Sequence, residues 1–173
     1  MQRRRRPTLF VLGALTCLAT TATTAQVSRG ADPLLTVSCS NLRVAPADAT
    51  ADGRRVVLGA VSVPPVHIGQ VARYGHDGWA YVKKAPIYIE AGSPVVRIGV
   101  PKAWRKRVAI AWGLYGPVSA QRVGACAPPA TYWSRYGGGF FLKERSACVP
   151  LAIQVGQRST TVRFGIGRRC TAQ

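Results

Sequence analysis

The chain has 173 residues, with 24 Lys and Arg against six Asp and Glu and a formal net charge of +18. That length suits one domain. Six carboxylates and two histidines leave little material for general acid–base chemistry, and neither histidine lies near a cysteine at a metal-ligand spacing.

The N-terminus reads as an export signal rather than as part of a fold. Arg3 to Arg6 are followed by an apolar run from Leu9 to about Ala19, and Thr23 and Ala25 stand at a small-x-small cleavage position. The apolar run is well short of the roughly 20 residues that cross a bilayer, so no transmembrane segment is expected after processing. Cys17 leaves with the peptide in this reading. Removing residues 1–25 takes away four arginines and no acid, which leaves 20 cations against six anions and a net charge of +14. About 148 residues can bury roughly 68–70% of their unfolded surface, enough for one core. Residues 26–35 read as a flexible lead-in and residues 36–173 as a single domain.

From there the expected elements are strands. "VVLGAVSV" (56–63) is apolar on both faces, as in a strand covered on both sides. Shorter strands are expected over 66–72, 79–83, 118–123 and 139–143. "IYIEAGSPVVRIGV" sets Ile87 and Ile89 against Val96 and Ile98 across Gly92-Ser93, with Tyr88 and Arg97 on the other face of that hairpin. "PKAWRKR" allows one helical turn at 102–106, and "VAIAW" (108–112) alternates Val108, Ile110 and Trp112 with two alanines. Gly137-Gly138-Gly139 has no helix after it that could hold an anion, so it reads as a turn or bulge.

The clearest pattern is "CVPLAIQVGQRSTTVRFGIGRRC" (148–170). Val149, Leu151, Ile153 and Val155 alternate, as do Thr160, Val162, Phe164 and Ile166. A four-residue turn at 156–159 places these two sets opposite one another on one face. Cys148 and Cys170 then need a fold-back after Ile166, which Gly165 and Gly167 can supply. An even set of cysteines in an exported chain implies two disulfides. Among the three connectivities open to Cys39, Cys126, Cys148 and Cys170, 39–126 with 148–170 is preferred, although spacing alone does not decide it. No stretch of eleven residues shows a 3.6-residue apolar stripe. Eight or nine short strands with frequent turns make an all-β fold, a disulfide-linked antiparallel β-sandwich or, alternatively, a small β-barrel.

Function is less legible. Asp32, Asp48, Asp52, Asp77, Glu90, Glu144, His67 and His76 are the groups that could titrate, and no nucleophile elbow, zinc motif or phosphate loop frames them. No catalytic residue, metal or cofactor is therefore assigned. Two of Glu90, Glu144, Asp77 and His76 meeting in a pocket would make a hydrolase. A large exposed apolar patch would instead mark a protein-interaction module. What stands out is basic residues interleaved with aromatic ones: Trp79 with Lys83 and Lys84, then Lys102, Trp104, Arg105, Lys106 and Arg107, then Tyr132, Trp133, Arg135 and Tyr136. Such segments bind polyanions by charge neutralisation and ring packing. Outside a cell the abundant anions are envelope polymers and acidic glycans. Nucleic acid would be bound without sequence preference only. The competing reading makes the tryptophans core anchors and the cations a solvated face. Arginine outnumbers lysine by 19 to 5, as codon bias in a GC-rich genome would also produce.

Trp133-x-x-Tyr136-x-Gly138-Gly139-Phe140, Cys148-Val149-Pro150-Leu151 and Val162-x-Phe164-Gly165-x-Gly167-x-x-Cys170 resemble small exported proteins of high-GC Gram-positive bacteria that have no established activity. The likeness extends upstream through "VVLGAVSVPP" and "VRIGVPKAWRKRVAIAWG". It implies export and a compact β fold, and it carries over no catalytic residue.

Overall fold

A computed structural model describes residues 34–37, 39, 43–44, 48–113, 116–124 and 133–171. All of them belong to the unit Asp32–Gln173. The export signal, most of the lead-in and Cys126 lie outside the described residues.

The fold is almost wholly β. In chain order the strands are β1 (Leu35–Val37), β2 (Arg43–Val44), β3 (Arg55–Val57), β4 (Val61–Val63), β5 (His67–Ile68), β6 (Ala72–His76), β7 (Trp79–Lys84) and β8 (Ile87–Glu90). They continue with β9 (Val96–Gly99), β10 (Val108–Trp112), β11 (Ala120–Val123), β12 (Trp133–Tyr136), β13 (Gly138–Leu142), β14 (Ala147–Val155) and β15 (Arg158–Ile166). A six-stranded sheet has the order β1-β11-β9-β14-β15-β5, a four-stranded sheet β10-β13-β7-β6 and a five-stranded sheet β2-β12-β8-β4-β3. Pairing is antiparallel except for the two edge strands of the large sheet, β1 and β5. Among the described residues no sheet closes into a barrel, so the sandwich is the architecture. The expected turn at 102–106 is a 3-10 helix, Lys102–Trp104.

β14 and β15 form the centre of the large sheet. Leu151, Ile153, Val162 and Phe164 are all buried, as the alternation requires. The turn is two residues long rather than four, with Gly156 at φ 56° in the glycine-first position of a tight hairpin. The register is consequently shifted by two, pairing Leu151 with Val162 and Val149 with Phe164. A shift of two keeps every side chain on its own face, so the core set is unchanged.

Three expected elements differ, the first being the strand expected over 66–72, which is only His67–Ile68 before residues 69–71 leave the sheet. Ile87–Glu90 and Val96–Gly99 are not partners: β8 lies between β12 and β4, whereas β9 lies between β11 and β14. Both strands offer a fully buried apolar face, Ile87 and Ile89 on one and Val96 and Ile98 on the other. Two such faces can meet across a core as well as side by side, and here they belong to different sheets. Residues 56–63 are a hairpin rather than one strand. Leu58 and Gly59 turn the chain at φ 53° and 72°, and the Ala60 N–H donates to Val57 O. A leucine in the left-handed region is uncommon, which is why "LG" carries no turn signal comparable to Asn-Gly.

The three sheets share one core. Phe140 packs 5.4 Å from both Trp112 and Phe164, joining the small sheet to the large one. The buried Gln121 side chain bonds the Trp112 backbone twice, accepting from its N–H and donating to its C=O, as a neighbouring strand would. β13 passes into β12 at Gly137, and β7 passes into β8 at Ala85–Pro86, so the four- and five-stranded sheets are joined at a corner. The corner needs glycine: a Cβ on Gly138 would lie 1.8 Å from Ala111 O, and one on Gly139 1.9 Å from Lys83 O.

The Cys148–Cys170 disulfide is present, with the two Cα atoms 5.3 Å apart. Cys39 is disulfide-bonded as well. Cys148 stands opposite Gly165, and the tail folds back over that glycine. A Cβ on Gly165 would meet Arg168 O at 2.3 Å and Cys170 N at 2.9 Å. Gly165→Ala therefore blocks the fold-back that brings the sulfurs together. Thiol titration of that variant is expected to show two free thiols, with a stability loss of about 2–4 kcal/mol. Gly69→Ala, with open space around its Cβ, is expected to behave as the parent.

Tyr136 gives a second expectation. It is 1% exposed, its hydroxyl donates to Gly124 O, and burial pushes its phenol up to about 12. The unfolded chain loses this proton first, near pH 10. The stabilising contribution is whole below that pH and is lost as pH rises through about 12. Denaturant titrations are expected to show a decline of about 2–3 kcal/mol across that window, absent in Tyr136→Phe.

Candidate anion-binding face

The basic and aromatic residues expected to bind polyanions do not form one surface. Trp79, Lys83 and Lys84 lie on β7 of the four-stranded sheet, with Trp79 and the lysines at opposite ends of the strand. Lys83 Nζ donates to Gln70 O at 2.8 Å. Trp79 is half-buried under Lys143, whose ammonium lies 4.9 Å from the ring centroid and also donates to Gly78 O. Trp104 packs against the core, with the Arg107 guanidinium 4.9 Å from its ring. Arg107 also forms a two-pronged pair with Glu144, at 3.1 and 2.9 Å. Trp112 is fully buried, and its indole N–H donates to Ala85 O. Trp112 thus belongs to the core, Trp79 and Trp104 are half-buried beneath the protein's own cations, and Trp133 is half-buried on β12. Lys102 and Lys106 are exposed beside them. Tyr132 lies outside the described residues, whereas Trp133, Arg135 and Tyr136 form β12.

Cations are brought together on the outer face of the six-stranded sheet instead. Val96 and Ile98 are buried, so Arg97 between them points outward; Gln121 and Val123 do the same for Arg122. Register then aligns Arg122, Arg97, Gln154 and Ser159 across four neighbouring strands. The next row is small: Ala120, Gly99, Ala152 and Thr161. Strands lie about 4.8 Å apart, so Arg122 and Arg97 are immediate neighbours of like charge. Arg105 enters from the far side of the small row, its Nε donating to Val100 O at 3.2 Å. Together Arg97, Gly99, Pro101, Arg105, Gln154 and Ser159 line most of a cleft of about 230 Å³.

No carboxylate among the described residues compensates the charge there. Among the described residues the ion pair is Arg107–Glu144, and none involves Arg97, Arg105 or Arg122. Arg54 shows what a structural guanidinium looks like in this protein. It is half-buried, donates to Ser62 Oγ, Ser62 O and Pro86 O, and lies 4.0 Å from the Tyr88 ring centroid. Burial lowers its pKa, with the nearby Arg135 adding to the effect. The outer-face arginines have no such set of partners.

Of the expected binding residues, only Arg105 belongs to this cleft. Arg97, Arg122, Gln154 and Ser159 were not singled out by sequence, because long-range register alone makes them neighbours. The outward position of Arg97 between two apolar residues is the one local signal. The groups considered for hydrolysis are dispersed. Glu90 ends β8, Glu144 pairs with Arg107, and His76 and Asp77 occupy the exposed β6–β7 turn. His67 Nδ1 lies 3.2 Å from Arg168 O, on the folded-back tail. Among the described residues no three His, Cys, Asp or Glu side chains gather as a metal site. No helix among them is long and apolar enough to cross a membrane.

Comparison with protein-family models, curated proteins and solved structures finds no match to this chain. Fold and site alone define it, as an antiparallel β-sandwich with an arginine row across its largest sheet.

The repulsion within that row is directly measurable. Arg122→Glu turns the like-charge neighbours into an opposite pair, and a gain of about 0.2–1 kcal/mol is expected at low ionic strength. Thermal melts should show the gain fading as salt approaches 1 M. No gain at low salt would mean that the two side chains do not sense each other.

Proposed function

We propose that the protein is exported and associates without catalysis with anionic polymers of the cell envelope, through the outer face of its six-stranded sheet. The observation that carries this reading is the row Arg122–Arg97, with Arg105 beside it, held without a carboxylate partner among the described residues. A fold keeps like charges adjacent at some cost, and a polyanion laid across them removes it. The export-type N-terminus, the net charge of +14 after its removal and the Cys148–Cys170 disulfide support the same compartment. The resemblance to small exported proteins points the same way.

Co-sedimentation with isolated envelopes tests the reading. The bound fraction is expected to fall steeply between about 50 and 200 mM salt, as charge-neutralising contacts do. Replacing Arg97, Arg105 and Arg122 by Gln should flatten that dependence more than replacing Trp79, Lys83 and Lys84. Attachment that ignores salt, or no attachment, would rule the partner out.

A further inference from the structure

We propose that the cleft between Arg97 and Arg105 binds a single phosphate ester group of such a polymer, an inference that rests on the anion-binding reading of the same face. Size is the first reason. At about 230 Å³ the cleft is smaller than the roughly 300–1,000 Å³ of sites for drug-sized ligands, so it takes one anionic group rather than a whole repeat.

Charge placement is the second. Along β9, Arg97 precedes Gly99 by two residues, roughly 6.6 Å. Arg105 stands beyond Pro101, its guanidinium located by the bond from Nε to Val100 O. Both arginines line the cleft, Arg97 on the side of the arginine row and Arg105 on the side of Pro101. A carboxylate offers both oxygens along one edge and satisfies one guanidinium. A tetrahedral phosphate presents oxygens to both sides at once, and arginine is the side chain suited to it. The Ser159 hydroxyl and the Gln154 amide supply uncharged donors on the Arg97 side, although Gln154 Nε2 already gives one bond to Gly156 O. The floor stays low because its residues are Gly99, Ala120 and Ala152. A Cβ on Gly99 would already lie 3.1 Å from Ala120 Cβ.

The test is NMR titration of the protein at 0.15 M salt with a glycerol phosphate trimer and with an oligogalacturonate of equal charge. The trimer is expected to move the amides of Gly99, Gln154 and Ser159 saturably and to bind about tenfold more tightly than the carboxylate chain. Arg97→Gln and Arg105→Gln should each weaken it by roughly tenfold or more. Arg73→Gln, an equal charge loss on the four-stranded sheet, should not. Equal affinity for both chains, with salt-dependent envelope binding intact, overturns the phosphate assignment and leaves the polyanion reading standing. Binding of neither chain, with no envelope attachment, overturns both. Capture by phosphatidylglycerol vesicles without binding of the trimer overturns the polymer as the source of the phosphate.

Discussion

The β14–β15 pairing sets the position of everything of functional interest. Nine residues on each strand pair, and alternate residues of β14 from Val149 to Val155 enter the core with Val162, Phe164 and Ile166 of β15. Burying one such side chain stabilises by about 1.5–3 kcal/mol, so a slip of one residue would expose far more than any surface contact could return. The same register decides what faces outward. Because Ile153 points in, Gln154 points out; because Ile98 points in, Arg97 and Gly99 point out. The arginine row and the small-residue floor are therefore consequences of the core.

Magnitudes explain why the fold tolerates that row. Like charges directly opposite on neighbouring strands cost up to about 1 kcal/mol, less in salt. That is smaller than the burial of a single isoleucine, and two, Ile98 and Ile153, adjoin the row on the buried face. Repulsion between Arg122 and Arg97 can thus persist without threatening the sheet, while remaining available for an anion to relieve. Arg107 and Arg54 show the alternative arrangement, in which a guanidinium is matched by a carboxylate or by backbone carbonyls. This uneven treatment of arginines is what the proposed anion-binding reading rests on.

Much of the fold could be read from local pattern. Alternation in 149–166 identified the central hairpin and its buried face, and the glycines near Cys170 marked the fold-back that joins it to Cys148. The strands expected at 79–83, 108–112 and 139–143 lie within a residue of those observed. Pairing over distance was not. Ile87–Glu90 and Val96–Gly99 carry compatible apolar faces, and nothing local says whether such faces lie side by side or across a core. Leu58 at positive φ hid a turn inside an apolar run. The site inherited these limits: Trp79 stood out beside Lys83 and Lys84, and Trp104 beside Arg107, yet Trp79 is engaged with Lys143, Trp104 with the core and Arg107 with Glu144. Arg97 and Arg122 are 25 positions apart and meet only through the β9–β11 register.

On the proposed reading the outer face of the six-stranded sheet, and not the tryptophan-bearing strand β7, receives the anion. Amide hydrogen exchange with and without a short anionic polymer measures this directly. Slowing confined to Arg97–Gly99, Ala152–Gln154 and their neighbours on β11 is the expected result. Slowing centred on Trp79–Lys84, or spread evenly over all three sheets, would contradict it.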